Sequence, residues 1–299
     1  MPASSGDSME TVGRTDLTAV VLTRDEEENV AACLESLAWV SQVVLVDSGS
    51  RDATLEVARR ARPGVEIHIH PFADFGRQRN WALQNTPVRN EWVLFVDADE
   101  RIPATCAREI GDRIADPQGC VGFYLCNRYW FMGRWIRHCT LFPSWQLRLL
   151  RKGKVRFVRE GHGQREVADG PLGYIREPYD HFGFSKGISE WISRHNRYSS
   201  MEVELILKLR REPVVVRELL GRDPVRRRRA VKRLAARVPC RPLIRFAYTY
   251  FFRRGFLDGR PGLVFCLLRL AHEIHVWAKL QEEEWTRRAS RPPGGHPCG

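Results

Sequence analysis

No run of 18 consecutive apolar residues occurs in this 299-residue chain, so nothing in it reads as a membrane-spanning helix. There is no C-x-x-C pair and no zinc-ligand spacing. The eight cysteines (Cys33, Cys106, Cys120, Cys126, Cys139, Cys240, Cys266 and Cys298) are scattered, several within apolar segments, as expected of reduced cytoplasmic thiols. Residues 1–16 are polar and hold no secretory signal, and residues 289–299 read as a disordered tail. The glycine-rich phosphate loops are missing as well. No G-x-x-x-x-G-K-[ST] occurs, and Gly161–Glu166 breaks the G-x-G-x-x-G pattern at its last position and follows no first strand. Any phosphate must be held by something other than a glycine-rich helix N-terminus.

Acidic residues are scarce in one stretch. From Leu209 to Arg269 there are seventeen Lys and Arg against four Asp and Glu, so this segment accounts for the chain's net charge of +12 and the remainder is near neutral. Arg226–Arg229, Lys232, Arg233 and Arg237 precede the aromatic run Phe246, Tyr248, Tyr250, Phe251, Phe252 and Phe256. Basic residues followed by aromatic ones suit helices lying in a membrane interface, where anionic lipid attracts each cation. Residues 211–288 are therefore expected to form a basic amphipathic helical extension that attaches peripherally to an anionic membrane surface from the cytoplasmic side. A solvated basic face and a nucleic-acid surface are the blander readings, and nucleic acid is not the expected partner.

The preceding part, residues 17–210, alternates between two periods. Leu17–Thr23, Gln42–Val46, Val65–His70 and Trp92–Val96 read as strands. Asn29–Trp39, Asp52–Ala61, Gly76–Asn85 and Ala104–Ala115 read as helices between and after them. Strands alternating with helices of about ten residues mean βαβ units, hence an α/β fold with a mostly parallel central sheet flanked by helices. Val121–Cys126 continues the sheet, Trp145–Leu150 and Lys154–Val158 read as a hairpin about Lys152 and Gly153, and Ser185–Leu209 reads as a long helix. Helices over Pro224–Val238, Pro242–Gly255 and Gly262–Glu284 complete the extension. In the last of these, His272 and His275 stand i, i+3, the wrong spacing for a zinc helix. The apolar stripe Leu263, Leu267, Leu270, Ile274, Trp277 and Leu280 marks an amphipathic helix instead.

In open α/β sheets, ligands bind beyond the carboxyl ends of the strands. Three such ends here carry carboxylates: Thr23-Arg24-Asp25-Glu26 after the first strand, Asp47-Ser48-Gly49-Ser50 after the second, and Asp97-Ala98-Asp99-Glu100 after the fourth. On an extended chain Asp97 and Asp99 share a face with Ala98 turned away. Two such oxygen ligands at a strand end suit a hard divalent cation, Mg²⁺ or Mn²⁺, whose remaining positions are filled by water and substrate phosphate. The plainer alternative is that Glu100 and Pro103 simply open a helix.

The segments VVLTRDEEENV (20–30), VLVDSGSRDAT (44–54), GRQRNWAL (76–83) and VLFVDADER (93–101) occur in the order and spacing of the family 2 glycosyltransferases of GT-A fold. The likeness is greatest to the bacterial subgroup of lipopolysaccharide-core β-1,4-glucosyltransferases, and it covers about residues 17–210. FLDGRPGL (256–263) also resembles that subgroup. The resemblance implies a GT-A nucleotide-diphospho-sugar transferase that moves a sugar, with inversion, to a hydroxyl of a lipid-linked glycan. A UDP-sugar is the favoured donor. It implies that Thr23, Arg24 and Glu26 line the base and ribose pocket and that Asp47 bonds the nucleobase or ribose. Arg77 and Asn80 would lie near the diphosphate or base, Asp99 would be the main metal ligand, and Asp97 would contact ribose or metal. The base comes from beyond the D-x-D strand. Glu166 is the first candidate, fifteen residues before His181 although Arg165 replaces the subgroup's His, and Glu160 is the second. A sugar-1-phosphate nucleotidyltransferase is the alternative enzyme; it normally carries a glycine-rich, basic signature where this chain has acidic residues 25–28. A non-catalytic basic membrane or nucleic-acid adaptor is the third reading.

Overall fold

The computed structural model describes residues 13–160, 163–213, 215, 217, 224–238 and 240–289. They form two compact units, divided between Gly187 and Ile188.

The first unit opens with β1 (Thr15–Thr23), α1 (Val30–Glu35), β2 (Val40–Asp47), α2 (Thr54–Ala61), β3 (Glu66–Ile69), α3 (Phe75–Asn85) and β4 (Trp92–Asp97), the alternation expected from the sequence. β1 pairs in parallel with both β2 and β4, and β2 with β3, so the strands lie in the order β3-β2-β1-β4. Unbroken apolar runs make sense here because both faces are covered. Ala19, Val21, Leu45, Leu94 and Val96 pack with Leu34, Ala58 and Ile110 on one side. Val20, Val44, Val93 and Phe95 pack with Ala82 of α3 and Phe157 on the other. α3 starts where the Asp74 carboxylate accepts the Arg77 N–H at 2.8 Å, a side-chain cap at a helix N-terminus. Asp52, expected to cap α2, accepts the Thr54 N–H at 3.1 Å from one residue before the cap position.

β5 (Glu100–Arg101), α4 (Ala104–Ala115), β6 (Gly122–Phe131), β7 (Arg134–Trp135) and β8 (Trp145–Arg151) follow. β8 lies between β4 and β6 and runs opposite to both. The next strand, β9 (Val155–Glu160), does not fold back on β8. The expected hairpin about Lys152 and Gly153 is absent, and β9 instead pairs with β10 (Gly163–Ala168) in a separate two-stranded sheet. The reason is competition. β8 has both edges occupied within the main sheet, while β9 is fastened elsewhere: Asn80 of α3 donates to the Phe157 carbonyl at 2.7 Å and accepts its N–H at 2.9 Å. The Phe157 ring meets Phe95 edge-on at 5.9 Å. β11 (Leu172–Tyr174) pairs with β6, and β12 (Tyr179–His181) joins β6 to β5.

The second unit is helical: α5 (Gly187–Arg211), α6 (Pro224–Ala235), α7 (Arg241–Ala247) and α8 (Gly259–Ala289). A π-helical turn, Tyr248–Phe252, continues α7, and a 3-10 turn, Gly255–Asp258, leads into α8. No helix among the described residues is long and apolar enough to cross a membrane. Among the described residues one apolar cluster of this unit joins Val203, Ile206, Ala236, Val276 and Leu280, and Trp191, Ala230, Phe265 and Cys266 are also buried. Of the stripe expected along α8, only Leu280 is buried, while Leu267, Ile274 and Trp277 are exposed. The face turned inward is a different one: Phe265, Cys266, Val276 and Leu280 are buried beside His272 and Glu273. Glu273 is buried against Arg241 and Arg245, and His272 lies 3.2 Å from Glu202. The seven described cysteines are all free.

His195 of α5 stacks on Trp191 with ring centroids 3.5 Å apart. Burial pushes its imidazole from 6.5 down to about 4. A depressed histidine is neutral when folded, so its contribution is complete above pH 6.5 and is lost as pH falls toward 4, because the unfolded chain takes up the proton first. The variant His195→Phe is expected to flatten this part of a melting-temperature profile while leaving the melting temperature at pH 8 nearly unchanged.

Candidate active site

The first two strand ends are stitched together. Thr23 donates from Oγ1 to Asp47 Oδ2 at 3.0 Å across the β1–β2 pairing, and the Asp47 carboxylate also accepts the Gly49 and Ser50 N–H groups at 2.9 and 2.8 Å. The loops beyond interlock. The Asp25 N–H donates to Ser50 Oγ and the Arg51 N–H to Asp25 Oδ1; the Glu26 N–H donates to Thr54 Oγ1, and the Ala53 N–H to Glu27 Oε2. Asp25 takes a left-handed φ of 53° to make this crossing. The acidic run after β1 is therefore a scaffold that fixes one wall of the crevice. Arg24 is exposed beside it.

The β4 end differs from the extended D-x-D that the sequence implied. The strand stops at Asp97, and residues 98 and 99 form a turn. Ala98 is buried, its N–H directed to the Leu22 carbonyl at 3.2 Å. The two carboxylates meet different partners. Asp97 Oδ2 accepts from Nη2 of Arg148 at 2.8 Å, and its Oδ1 lies 3.9 Å from Arg79. Asp99 Oδ2 lies 3.2 Å from His181 Nε2, and Asn127 approaches His181 Nδ1 at 3.0 Å. Nη2 of Arg148 also meets Glu100 Oε1 at 2.5 Å, while Glu100 Oε2 accepts the Asp97 N–H at 2.8 Å.

These contacts set the charges. Burial pushes Asp97 up, but Arg148 and Arg79 more than reverse it and hold the carboxyl at about 2. Burial dominates at Glu100, whose carboxyl rises to about 7 in spite of Arg148. Burial opposes protonation of His181, and the Asp99 carboxylate overcomes it, raising the imidazole above its ordinary value. Glu26 is raised by burial, against the opposing pull of Lys186, with which it pairs. Asn29 bonds both Glu26 and Ser185. β12 and the segment after it thus carry His181 to Asp99 and Lys186 to Glu26, joining the first and fourth strand ends.

Other expected residues lie apart from this cluster or serve as supports. Arg77 is exposed and pairs with Asp74. Both polar atoms of the Asn80 amide are engaged by the Phe157 backbone. Glu166 stands on β10 opposite Phe157, and its charge raises the Tyr124 phenol, after burial. Glu160 ends β9, and its side chain lies outside the described residues. Neither Arg148 nor Arg79 is among the residues that the sequence marks for the site. Arg79 is 6% exposed and sits between the rings of Phe95 and Phe157, each centroid 5.6 Å away. The signal for Arg148 was a lone Arg in the apolar run Leu147–Leu150, a position a central strand does not give to an unpaired charge.

Among the described residues no group of three or more His, Cys, Asp or Glu side chains is set to hold a metal ion by itself. What the tip does offer is one carboxylate and one imidazole side by side, flanked by Lys186, Arg101 and the Arg148–Asp97 pair.

The family model for glycosyl transferase family 2 matches residues 18–182, more than half of the chain, and the chain belongs to that family. It is 26% identical over 202 residues to the lipopolysaccharide core biosynthesis glycosyltransferase LpsC of Rhizobium meliloti (strain 1021), covering 64% of this chain and 72% of LpsC. The SPbeta prophage-derived glycosyltransferase SunS of Bacillus subtilis (strain 168) is 25% identical over 212 residues, 70% of this chain and 46% of SunS, so the chain spans less than half of that relative. Among solved structures it is similar to S. aureus TarS 1–349 (14% identity, 86% of this chain, 80% of that chain, TM-score 0.42). It is also similar to glucosyl-3-phosphoglycerate synthase from Mycobacterium tuberculosis in complex with Mn²⁺, UDP and glucosyl-3-phosphoglycerate (15% identity, 60% of this chain, 78% of that chain, TM-score 0.39). The protein is a family 2 glycosyltransferase with a GT-A-type mixed sheet, and the nucleotidyltransferase and adaptor readings fall away.

Replacing Arg148 by Met leaves Asp97 and Glu100 facing each other with only Arg79, 3.9 Å from Asp97, to offset them. Breaking a buried pair in this way costs about 3–5 kcal/mol, to be read from urea unfolding, and Arg148→Lys should recover part of it.

Proposed function

We propose that this enzyme transfers a sugar, with inversion, from a nucleotide diphosphate donor to a hydroxyl of a lipid-linked bacterial glycan of the lipopolysaccharide-core kind. A UDP-sugar is the favoured donor, and the enzyme works peripherally at the inner face of the cytoplasmic membrane. The observation that carries the reading is the contact between Asp99 Oδ2 and His181 Nε2 at the carboxyl end of the sheet, in a chain of this family. The LpsC name supports the acceptor class.

The donor set fits a divalent cation. A carboxylate oxygen and an imidazole nitrogen are ligands Mn²⁺ accepts readily, and an open shell leaves positions for the donor's phosphates. Asp97 suits this role less than the sequence implied, since two guanidinium groups already compensate it. Turning the Asn127 amide end for end lets its oxygen accept Nδ1–H, which frees the Nε2 lone pair toward Asp99, the usual support for a ligating histidine. A cation held by Asp99 and His181 would supply charge neutralisation for the departing diphosphate.

The chain's own groups do the rest. Asp47, Thr23 and the interlocked loops present a rigid wall for the nucleoside, with Arg24 and Glu26 at its rim. Arg77 is exposed at the start of α3, paired with Asp74, and would reach a phosphate by turning from that partner. Glu166 takes the proton from the acceptor hydroxyl as the new bond forms, a contribution of about 10²–10⁴-fold; Glu160 is the second candidate. An oxocarbenium-like centre forms between the departing diphosphate and the attacking oxygen, so the two must lie on opposite faces of the sugar.

Two outcomes are expected. Thermal shift with UDP should show stabilisation that requires Mn²⁺ or Mg²⁺ and is lost in both Asp99→Asn and His181→Ala; a UDP response indifferent to metal contradicts the site. Glu166→Gln should lower kcat by about 10²–10⁴-fold while leaving metal-dependent UDP binding intact.

A further inference from the structure

The second unit carries a concentrated apolar surface that its own core does not use. Along α7 and the π-helical turn, Leu243, Ile244, Phe251 and Phe252 are 62%, 53%, 61% and 79% exposed. Tyr248, Phe256 and Leu257 are also exposed. Ile244, Tyr248, Phe251 and Phe252 recur at i, i+4, i+7 and i+8, one side of a continuous helical run. The rings brace one another: Tyr248 stacks on Phe252 at 5.4 Å and Phe246 on Tyr250 at 5.5 Å. Ile244 and Tyr248 also wall a groove of about 500 Å³ with Leu205, Leu209 and Ala235, so the apolar surface runs on beyond the turn.

Charge decides what covers it. Between Pro224 and Arg260 there are 12 Lys and Arg and one acidic residue, Asp258, which is buried; Arg233, Arg241 and Arg245 are paired with Glu212, Glu202 and Glu273 from outside this stretch, and the balance stays basic. Arg254, at the tip itself, is exposed, as are Lys232 and Arg260. An apolar tip with exposed cations on it and along the same stretch matches a surface that is anionic outside and hydrocarbon a few ångströms deeper. A nucleic acid offers the charge but no apolar depth, and an ordinary protein surface offers neither in quantity.

We propose that the Leu243–Leu257 tip is the element that enters an anionic lipid bilayer, with Phe251 and Phe252 as its leading side chains. This deepens the membrane-bound reading given above and rests on it, but it changes how attachment works. The arginine-rich helix α6 does not itself lie in the interface; it supplies long-range attraction, and the aromatic turn supplies depth. Attachment therefore has two separable parts, one screened by salt and one not.

The test is cosedimentation of the full-length protein with vesicles of phosphatidylcholine alone or with about one third phosphatidylglycerol, a level that gives a strongly anionic surface. The wild type should bind only the anionic vesicles. The double variant Phe251→Ser with Phe252→Ser should partition at least about tenfold less, since each ring removes apolar burial. Both rings are exposed, so its melting temperature should match the wild type. As a second reading, Phe252→Trp should add emission that brominated lipid quenches. Equal sedimentation of the double variant overturns the proposal, as does wild type that stays in the supernatant. A dimer that the double variant abolishes, without vesicle binding, assigns the tip to self-association and overturns it too. Asp99→Asn should sediment like the wild type. Metal-dependent UDP binding without vesicle binding thus sinks the tip and membrane attachment but not sugar transfer, equal vesicle binding by the double variant sinks the tip alone, and vesicle binding without metal-dependent UDP binding sinks the enzyme reading alone.

Discussion

The Arg148 guanidinium is the contact on which the site's arrangement depends. It enters from β8, a strand antiparallel to β4, and Nη2 meets both Asp97 at the end of one strand and Glu100 at the start of the next. A buried cation between two carboxylates fixes a turn that short hydrogen bonds alone would leave loose. The arrangement carries a cost. Nε and Nη1 of Arg148, and Nε of Arg79, are buried with no hydrogen-bond partner. Such ionic groups hold a geometry more than they add stability. Here the geometry they hold is a turn that sends Asp97 inward to arginine and leaves Asp99 beside His181.

That division of labour changes how the two aspartates are understood. Two carboxylates one residue apart look equivalent on paper. In the fold they are not, because one is already neutralised at short range and the other faces an imidazole. His181 reaches Asp99 because β12 pairs with both β6 and β5, opposite Glu100 in register. The same segment continues to Lys186 and its pairing with Glu26. Three distant stretches of sequence therefore meet at one strand end without any glycine-rich phosphate loop.

The parallel half of the sheet was legible in the sequence because its signals are local. Unbroken apolar runs such as Val93–Val96, alternating with helices of about ten residues, report on their own neighbourhood. The acidic strand ends followed directly from that topology. The parts that did not show depend on partners far along the chain. Arg148 lies 51 residues beyond Asp97. The choice of β10 over β8 as partner for β9 rests on Asn80, 77 residues earlier than Phe157. The rotation of α8 buries Phe265, Cys266 and Val276 beside Glu273 and His272, which pair with α7 and α5, and leaves most of the expected stripe outside. In each case the deciding partner lies far along the chain.

The central claim is that Asp99 and His181, and not the Asp97–Asp99 pair, hold the cation that receives the donor's diphosphate. A crystal structure with Mn²⁺ and UDP, with the metal located by its anomalous scattering, tests it most directly. The account predicts one peak bonded to Asp99, to His181 Nε2 and to phosphate oxygens, with Asp97 still on Arg148. A peak bonded to Asp97 with His181 turned away, or UDP bound with no metal beside it, contradicts it.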